Sequence, residues 1–159
     1  TDRTIGLTYT GVENMTLVYG MSDINPGNVA GETNETVMGI KYAVGGALGA
    51  LFRYWLATGI DHLLGKSFPY GTLFINVVGS FLIGFTYIYL LEKLTISVEL
   101  RTAILVGFLG AFTTFSTFSF ETFVLLQNGA LVKAMLNITL SLFMCLLAVW
   151  AGTFLGRQF

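Results

Sequence analysis

The sequence predicts an all-α membrane protein built from four transmembrane helices, the third of them broken partway along. Three observations lead there. Of 159 residues, 54% are hydrophobic and only 11% charged, with a mean hydropathy of +0.74, whereas ordinary soluble domains carry roughly 25% charged residues. The apolar residues gather into four runs of about 20 or more, the length needed to cross roughly 30 Å of hydrocarbon. The third run alone is interrupted by a dense set of hydroxyls, Thr113-Thr114-Phe115-Ser116-Thr117-Phe118-Ser119.

Charge divides the chain in two. Residues 1–37 hold one basic residue, Arg3, against five acids, whereas residues 38–159 hold seven basic residues against four acids. The first segment is rich in Thr, Gly, Asn and Glu and contains no apolar run long enough to span. It has no charged-then-apolar signal pattern. It reads as a polar N-terminal extension of the four-helix domain 38–159, and because Met38 resembles a natural start, an artificial origin is one reading of it. Thr4–Thr10 and Thr16–Tyr19 have strand-like character, though two short strands are marginal without an apolar partner. Asn14-Met15-Thr16 and Asn34-Glu35-Thr36 match the glycosylation tripeptide, which carries no weight without a secretory context.

The first span is expected from Ile40 to Leu64. Gly45 and Gly49 give it a small-xxx-small face for close helix contact. Arg53 lies within it, and an arginine at such a position faces a polar cavity, pairs, or snorkels outward. A polar connection with Gly65, Lys66 and Pro69 leads to the second span, Thr72 to Leu91, whose one strongly polar residue is Asn76. After a charged turn, the third span covers Thr102 to Leu126. The fourth, Ala130 to Leu155, holds Asn137, Thr139 and Ser141 near its start and the small pair Gly152 and Gly156 near its end. Four spans place both ends on one side. The flanking cations there are Lys41, Lys93, Arg101 and Arg157, against Lys66 and Lys133 opposite, a bias weak enough to be compatible with insertion in both orientations.

The third span carries the chemistry. Gly107, Gly110 and the hydroxyls weaken the helix, and non-helical backbone at membrane depth survives only if covered by protein or lining a polar cavity. A break would free backbone carbonyls, the ligands a hard cation such as sodium takes; the alternative is a hydroxyl-lined helix contact. Phe112, Phe115 and Phe118 share one helix face, and Thr113, Ser116 and Ser119 an adjacent one. Aromatic rings have a positive edge, so ring edges beside hydroxyl donors suit a small dehydrated anion; plain packing is the competing reading. Asn76 offers two amide donors to an anion or to a neighbouring helix. Glu121 serves proton linkage or pore-mouth hydrogen bonding on one reading, and snorkels or pairs locally on the other. The single cysteine, Cys145, and single histidine, His62, build neither a disulfide nor a multi-histidine metal site. No nucleophile–base pair, zinc cluster or phosphate loop is present, so an enzyme is not expected, and nothing points to nucleic acid.

Taken together, Gly45-Gly46-Ala47-Leu48-Gly49-Ala50-Leu51-Phe52-Arg53-Tyr54, Gly71-Thr72-Leu73-Phe74-Ile75-Asn76-Val77-Val78-Gly79-Ser80-Phe81 and Gly107-Phe108-Leu109-Gly110-Ala111-Phe112-Thr113-Thr114-Phe115-Ser116-Thr117-Phe118-Ser119-Phe120-Glu121 resemble the Fluc/CrcB fluoride channel family over residues 38–159. The resemblance implies an antiparallel, dual-topology homodimer in the inner (plasma) membrane that passes fluoride through two pores and confers fluoride resistance. It implies pore-lining roles for Phe115 and Phe118, for Asn76, and for a polar track of Ser116, Ser119, nearby Thr117 and a fourth-helix hydroxyl, Thr139 or Ser141. It further implies a central structural sodium on the backbone carbonyls of Gly110 and Thr113 of both subunits, and matches Arg53 and Glu121 to a family arginine and glutamate. The main rival is a small dual-topology, proton-coupled multidrug exporter, which wants a carboxylate in its first span; Ile40 to Ile60 contains none. A purely structural membrane subunit would explain the glycines but not the hydroxyl–phenylalanine run.

Overall fold

A chain this apolar has to satisfy its backbone within helices wherever water is absent, and helix is what most of it forms. The computed structural model describes residues 7–9, 17–19, 29–90 and 96–159. The chain divides into two compact units, Thr1–Glu35 and Thr36–Phe159. In the first, β1 (Leu7–Tyr9) pairs antiparallel with β2 (Leu17–Tyr19), Thr8 opposite Val18. The remainder of the two strand-like stretches, and Asn14-Met15-Thr16 up to Thr16, lie outside the described residues.

The helices follow as α1 (Val29–Leu64), α2 (Tyr70–Ile88), α3 (Val98–Thr102), a π-helical stretch (Ala103–Leu109), α4 (Gly110–Phe112), α5 (Phe115–Gln127) and α6 (Leu131–Gln158). Among the described residues, three helical segments are long and apolar enough to cross a membrane: Tyr70–Ile88, Leu100–Gln127 and Leu131–Gln158. The chain is thus a multi-pass helical membrane protein. α1 is long enough, but Lys41, Arg53, its tyrosines and its glycines dilute its hydropathy. Within the third span, the π-helical stretch accommodates Gly107, and the chain leaves helix for two residues, Thr113 and Thr114, directly after α4 ends at Phe112.

Small residues set how closely the helices approach. On α1, a Cβ at Gly49 would run into the Phe108 carbonyl, and one at Gly45 would lie 2.8 Å from that of Ala103. On α6, a Cβ at Gly152 would run into the Phe81 carbonyl of α2. Backbone therefore meets backbone along both seams, the packing that drives helix association where lipid is as apolar as leucine. Many large apolar side chains face outward, among them Trp55, Phe143, Leu146 and Trp150. That is the reverse of a water-soluble surface and suits a hydrocarbon solvent.

Candidate functional site

The interruption in the third span is two residues wide and is held open by a side chain from α2. Thr113 (φ −83°, ψ 159°) and Thr114 (φ −150°, ψ 119°) are extended. In a continuous helix the Thr114 N–H would go to the Gly110 carbonyl. Here it donates to Asn76 Oδ1 at 2.8 Å, while Asn76 Nδ2 donates to the Thr114 carbonyl at 3.0 Å. The carboxamide pairs with the backbone N–H and C=O of Thr114 as a neighbouring strand would. Helix resumes at Phe115 because the Thr114 hydroxyl accepts from the Thr117 N–H at 3.3 Å, an N-cap bond of the kind that satisfies a first-turn donor.

The break frees acceptors. The Gly110 carbonyl meets the Thr113 hydroxyl only at 3.5 Å, and the Thr113 carbonyl accepts from Arg53 Nη1 at 3.5 Å. Both oxygens are hard ligands of the sort a small cation takes. One chain presents two of them, and the Thr113 oxygen is already shared with the Arg53 guanidinium. Among the described residues no group of three or more His, Cys, Asp or Glu could hold a metal.

Beside the break lies a cavity of about 530 Å³, walled by Asn76 and Ser80 of α2, Phe115 and Phe118 of α5, and Ser141 and Cys145 of α6. The Phe115 and Phe118 rings stand 5.5 Å apart, tilted by 43°. Ser141 Oγ is buried with no hydrogen-bond partner, and an unpaired hydroxyl in an apolar setting costs free energy unless a ligand satisfies it. Phe115 is 79% exposed, so the cavity is not closed at this ring.

Glu121 sits elsewhere, in a second cavity of about 520 Å³ lined also by Asp61, Lys66, Asn128 and Lys133. The Thr72 hydroxyl donates to Glu121 Oε1 at 2.9 Å, and Oε2 is buried without a partner. Of the residues singled out from sequence, Asn76, Thr113, Phe115, Phe118 and Ser141 thus meet in one cavity. Ser116, Thr117, Ser119 and Thr139 are exposed and line neither. Ser119 donates to its own helix, to the Phe115 carbonyl at 2.9 Å, and of the two fourth-helix hydroxyls only Ser141 reaches the cavity.

Sequence reasoning passed over Thr72, Ser80, and the pair in which Asn137, 1% exposed, donates from Nδ2 to the Thr122 hydroxyl at 2.8 Å. A signal was present. Thr72, Asn76 and Ser80 recur at spacing four on α2, and Asn137, Ser141 and Cys145 at the same spacing on α6, so each set shares one helix face.

The family described as CrcB-like protein, Camphor Resistance (CrcB), matches residues 40–153. Proteins described as fluoride-specific ion channel FluC are similar. One from Methylococcus capsulatus is 54% identical over 116 residues, covering 73% of this chain and 51% of the relative. One from Hydrogenovibrio crunogenus is 50% identical over 120 residues, 76% of this chain and 91% of the relative, and one from Geobacter sulfurreducens is 49% identical over 119 residues, 75% and 96%. The chain spans about half the length of the first of these and nearly all of the other two. With the family match covering most of the chain, and the same three glycine-, asparagine- and phenylalanine-bearing motifs lying within it, this chain belongs to the CrcB family.

Proposed function

We propose that this chain is a passive, fluoride-selective channel and not an enzyme, acting in the plasma membrane as an antiparallel homodimer of two oppositely inserted copies, each with four spans that include α1, and with a pore in each half. The observation that carries this reading is the cavity at the helix break, where two phenylalanine rings, an amide and an unpartnered buried hydroxyl converge without a carboxylate. Relatives described as fluoride-specific channels support the same conclusion.

Fluoride is small and holds its water tightly, so a narrow dry path admits it only if the wall replaces that water nearly completely. Ring edges of Phe115 and Phe118 present positive quadrupole, and Ser141 donates a hydrogen bond it makes to nothing else. Asn76 spends one Nδ2 proton on the Thr114 carbonyl and keeps the second for the anion. A larger halide would not meet the same closely spaced donors, and selectivity follows from size and coordination together. Arg53 places positive charge by the break, which favours an anion. Glu121, once its unpartnered Oε2 carries a proton, would donate a hydrogen bond to the arriving ion at the pore mouth. Ser116, Thr117 and Ser119 extend the polar track along the exposed face of α5, where a second copy would cover them; the fourth-helix hydroxyl is assigned to Ser141 in preference to Thr139.

A dimer would answer two features of the single chain: Phe115 is largely exposed, and the Gly110 and Thr113 carbonyls at the break lack short hydrogen bonds. Those carbonyls from two copies would hold sodium, which when bound supplies a fixed positive charge near both paths. The test is fluoride efflux from loaded vesicles. The wild-type chain passes fluoride far faster than an empty vesicle, and Phe115→Ile or Phe118→Ile suppresses flux at least about tenfold, equivalent to 1.4 kcal/mol, while the protein still elutes as a dimer. Undiminished flux in both variants refutes the conducting role of the rings.

A further inference from the structure

The corner between α1 and α2 holds an acid that the channel reading leaves unused. α2 begins at Tyr70 behind Pro69, which provides no side-chain cap, and first-turn N–H groups of a helix need acceptors from outside it. Asp61, in the last turn of α1, supplies one: the Gly71 N–H donates to its Oδ1 at 2.9 Å. The approach is tight, for a Cβ on Gly71 would lie 2.6 Å from the Ala57 carbonyl and 2.8 Å from Asp61 Oδ1. The next residue is Thr72, buried, whose hydroxyl donates to Glu121 Oε1 at 2.9 Å. A single planar peptide joins the two anchored residues, so the position of Gly71 dictates that of Thr72. The connection between α1 and α2 is tied down separately, by Lys133 Nζ donating to the Ser67 carbonyl at 2.9 Å.

We propose that Asp61 is a positioning residue for the pore-mouth acid, fixing the start of α2 through Gly71 and thereby aiming the Thr72 hydroxyl at Glu121. This rests on the channel reading above and deepens it. Thr72 supplies a hydrogen bond to one oxygen of a carboxylate whose other oxygen is already unpartnered, so a displaced Thr72 releases Glu121 from its place. The role requires an acceptor at position 61 and not a charge. Asparagine retains Oδ1; alanine retains nothing.

The experiment measures fluoride efflux from vesicles for wild type, Asp61→Ala, Asp61→Asn, Thr72→Val and the Asp61→Ala/Thr72→Val double variant, each normalised to dimer recovered by size exclusion. Loss of one oriented hydrogen bond predicts a rate lower by roughly two- to tenfold in Asp61→Ala and in Thr72→Val. Asp61→Asn restores the wild-type rate, and Asp61→Ala adds no further loss in the Thr72→Val background, because both act on one bond. Additive losses, an Asp61→Asn variant as slow as Asp61→Ala, or an Asp61→Ala variant as fast as wild type each overturn the role while wild-type flux keeps the channel reading standing. A wild-type chain no faster than an empty vesicle overturns the channel reading itself, and this role with it.

Discussion

Replacing Asn76 with alanine tests how the helix break is held. Its carboxamide makes two hydrogen bonds to the backbone of Thr114, one with its N–H at 2.8 Å and one with its carbonyl at 3.0 Å, and Thr114 is buried. Removing the side chain strands one N–H and one C=O at membrane depth, where water is scarce. Each stranded group costs about 1–3 kcal/mol, so Asn76→Ala is expected to lose about 2–4 kcal/mol once partial relaxation is allowed for. Asn76→Asp isolates the two halves. A carboxylate still accepts from the Thr114 N–H but sets its second oxygen against the Thr114 carbonyl with no proton between them, so it gains no advantage over alanine despite its closer shape. Denaturant titration in detergent micelles gives the stability, and hydrogen exchange at the Thr114 amide reports the bond itself. An Asn76→Ala protein within about 0.5 kcal/mol of wild type, the ordinary range for an inconsequential surface change, with Thr114 exchange unaltered, refutes the clamp.

Three more outcomes follow from the same geometry. Ser141→Ala removes a buried hydroxyl that makes no hydrogen bond and is expected to raise stability by about 1 kcal/mol while lowering fluoride flux; a variant that loses stability shows that the hydroxyl had a partner. Gly152→Leu drives a side chain into the Phe81 carbonyl and should destabilise by about 1–3 kcal/mol, so an unchanged denaturation midpoint contradicts the close α2–α6 approach. Exchanging sodium for a bulky organic cation in the buffer is expected to lower the thermal midpoint of the dimer, and a midpoint indifferent to sodium argues against the shared carbonyl site.

Much of the molecule is legible in composition and spacing because the bilayer is an exacting solvent. Runs such as Thr72–Leu91 and Ala130–Leu155 announce helices by length alone, and Gly49 and Gly152 announce close seams, since each rule depends only on local residue size and polarity. The first span is less plain. Its helix is there, from Val29 to Leu64, but Lys41, Arg53 and the glycines weaken the apolar signal. The hydroxyl run marks the third span as unable to remain a plain helix, yet does not say which peptide yields. Spacing marks the stripe Phe112, Phe115 and Phe118, and with it Asn76, as anion-seeking groups, and the family resemblance narrows the stripe to Phe115 and Phe118; it leaves Thr139 and Ser141 indistinguishable, because two residues apart on a helix point about 200° from each other and only packing selects the inward one.

The amino-acid order by itself determined a membrane protein of apolar helices, a polar flaw in the third of them, and a family signature across most of the chain. Tertiary structure alone decided that the flaw opens at Thr113–Thr114, that Asn76 from another helix takes the N–H a continuous helix would have used, and that Ser141 and not Thr139 meets the phenylalanines. Helix and hydropathy arise from interactions within a few residues, whereas a clamp joining positions 38 residues apart exists only once α2 has docked against the break.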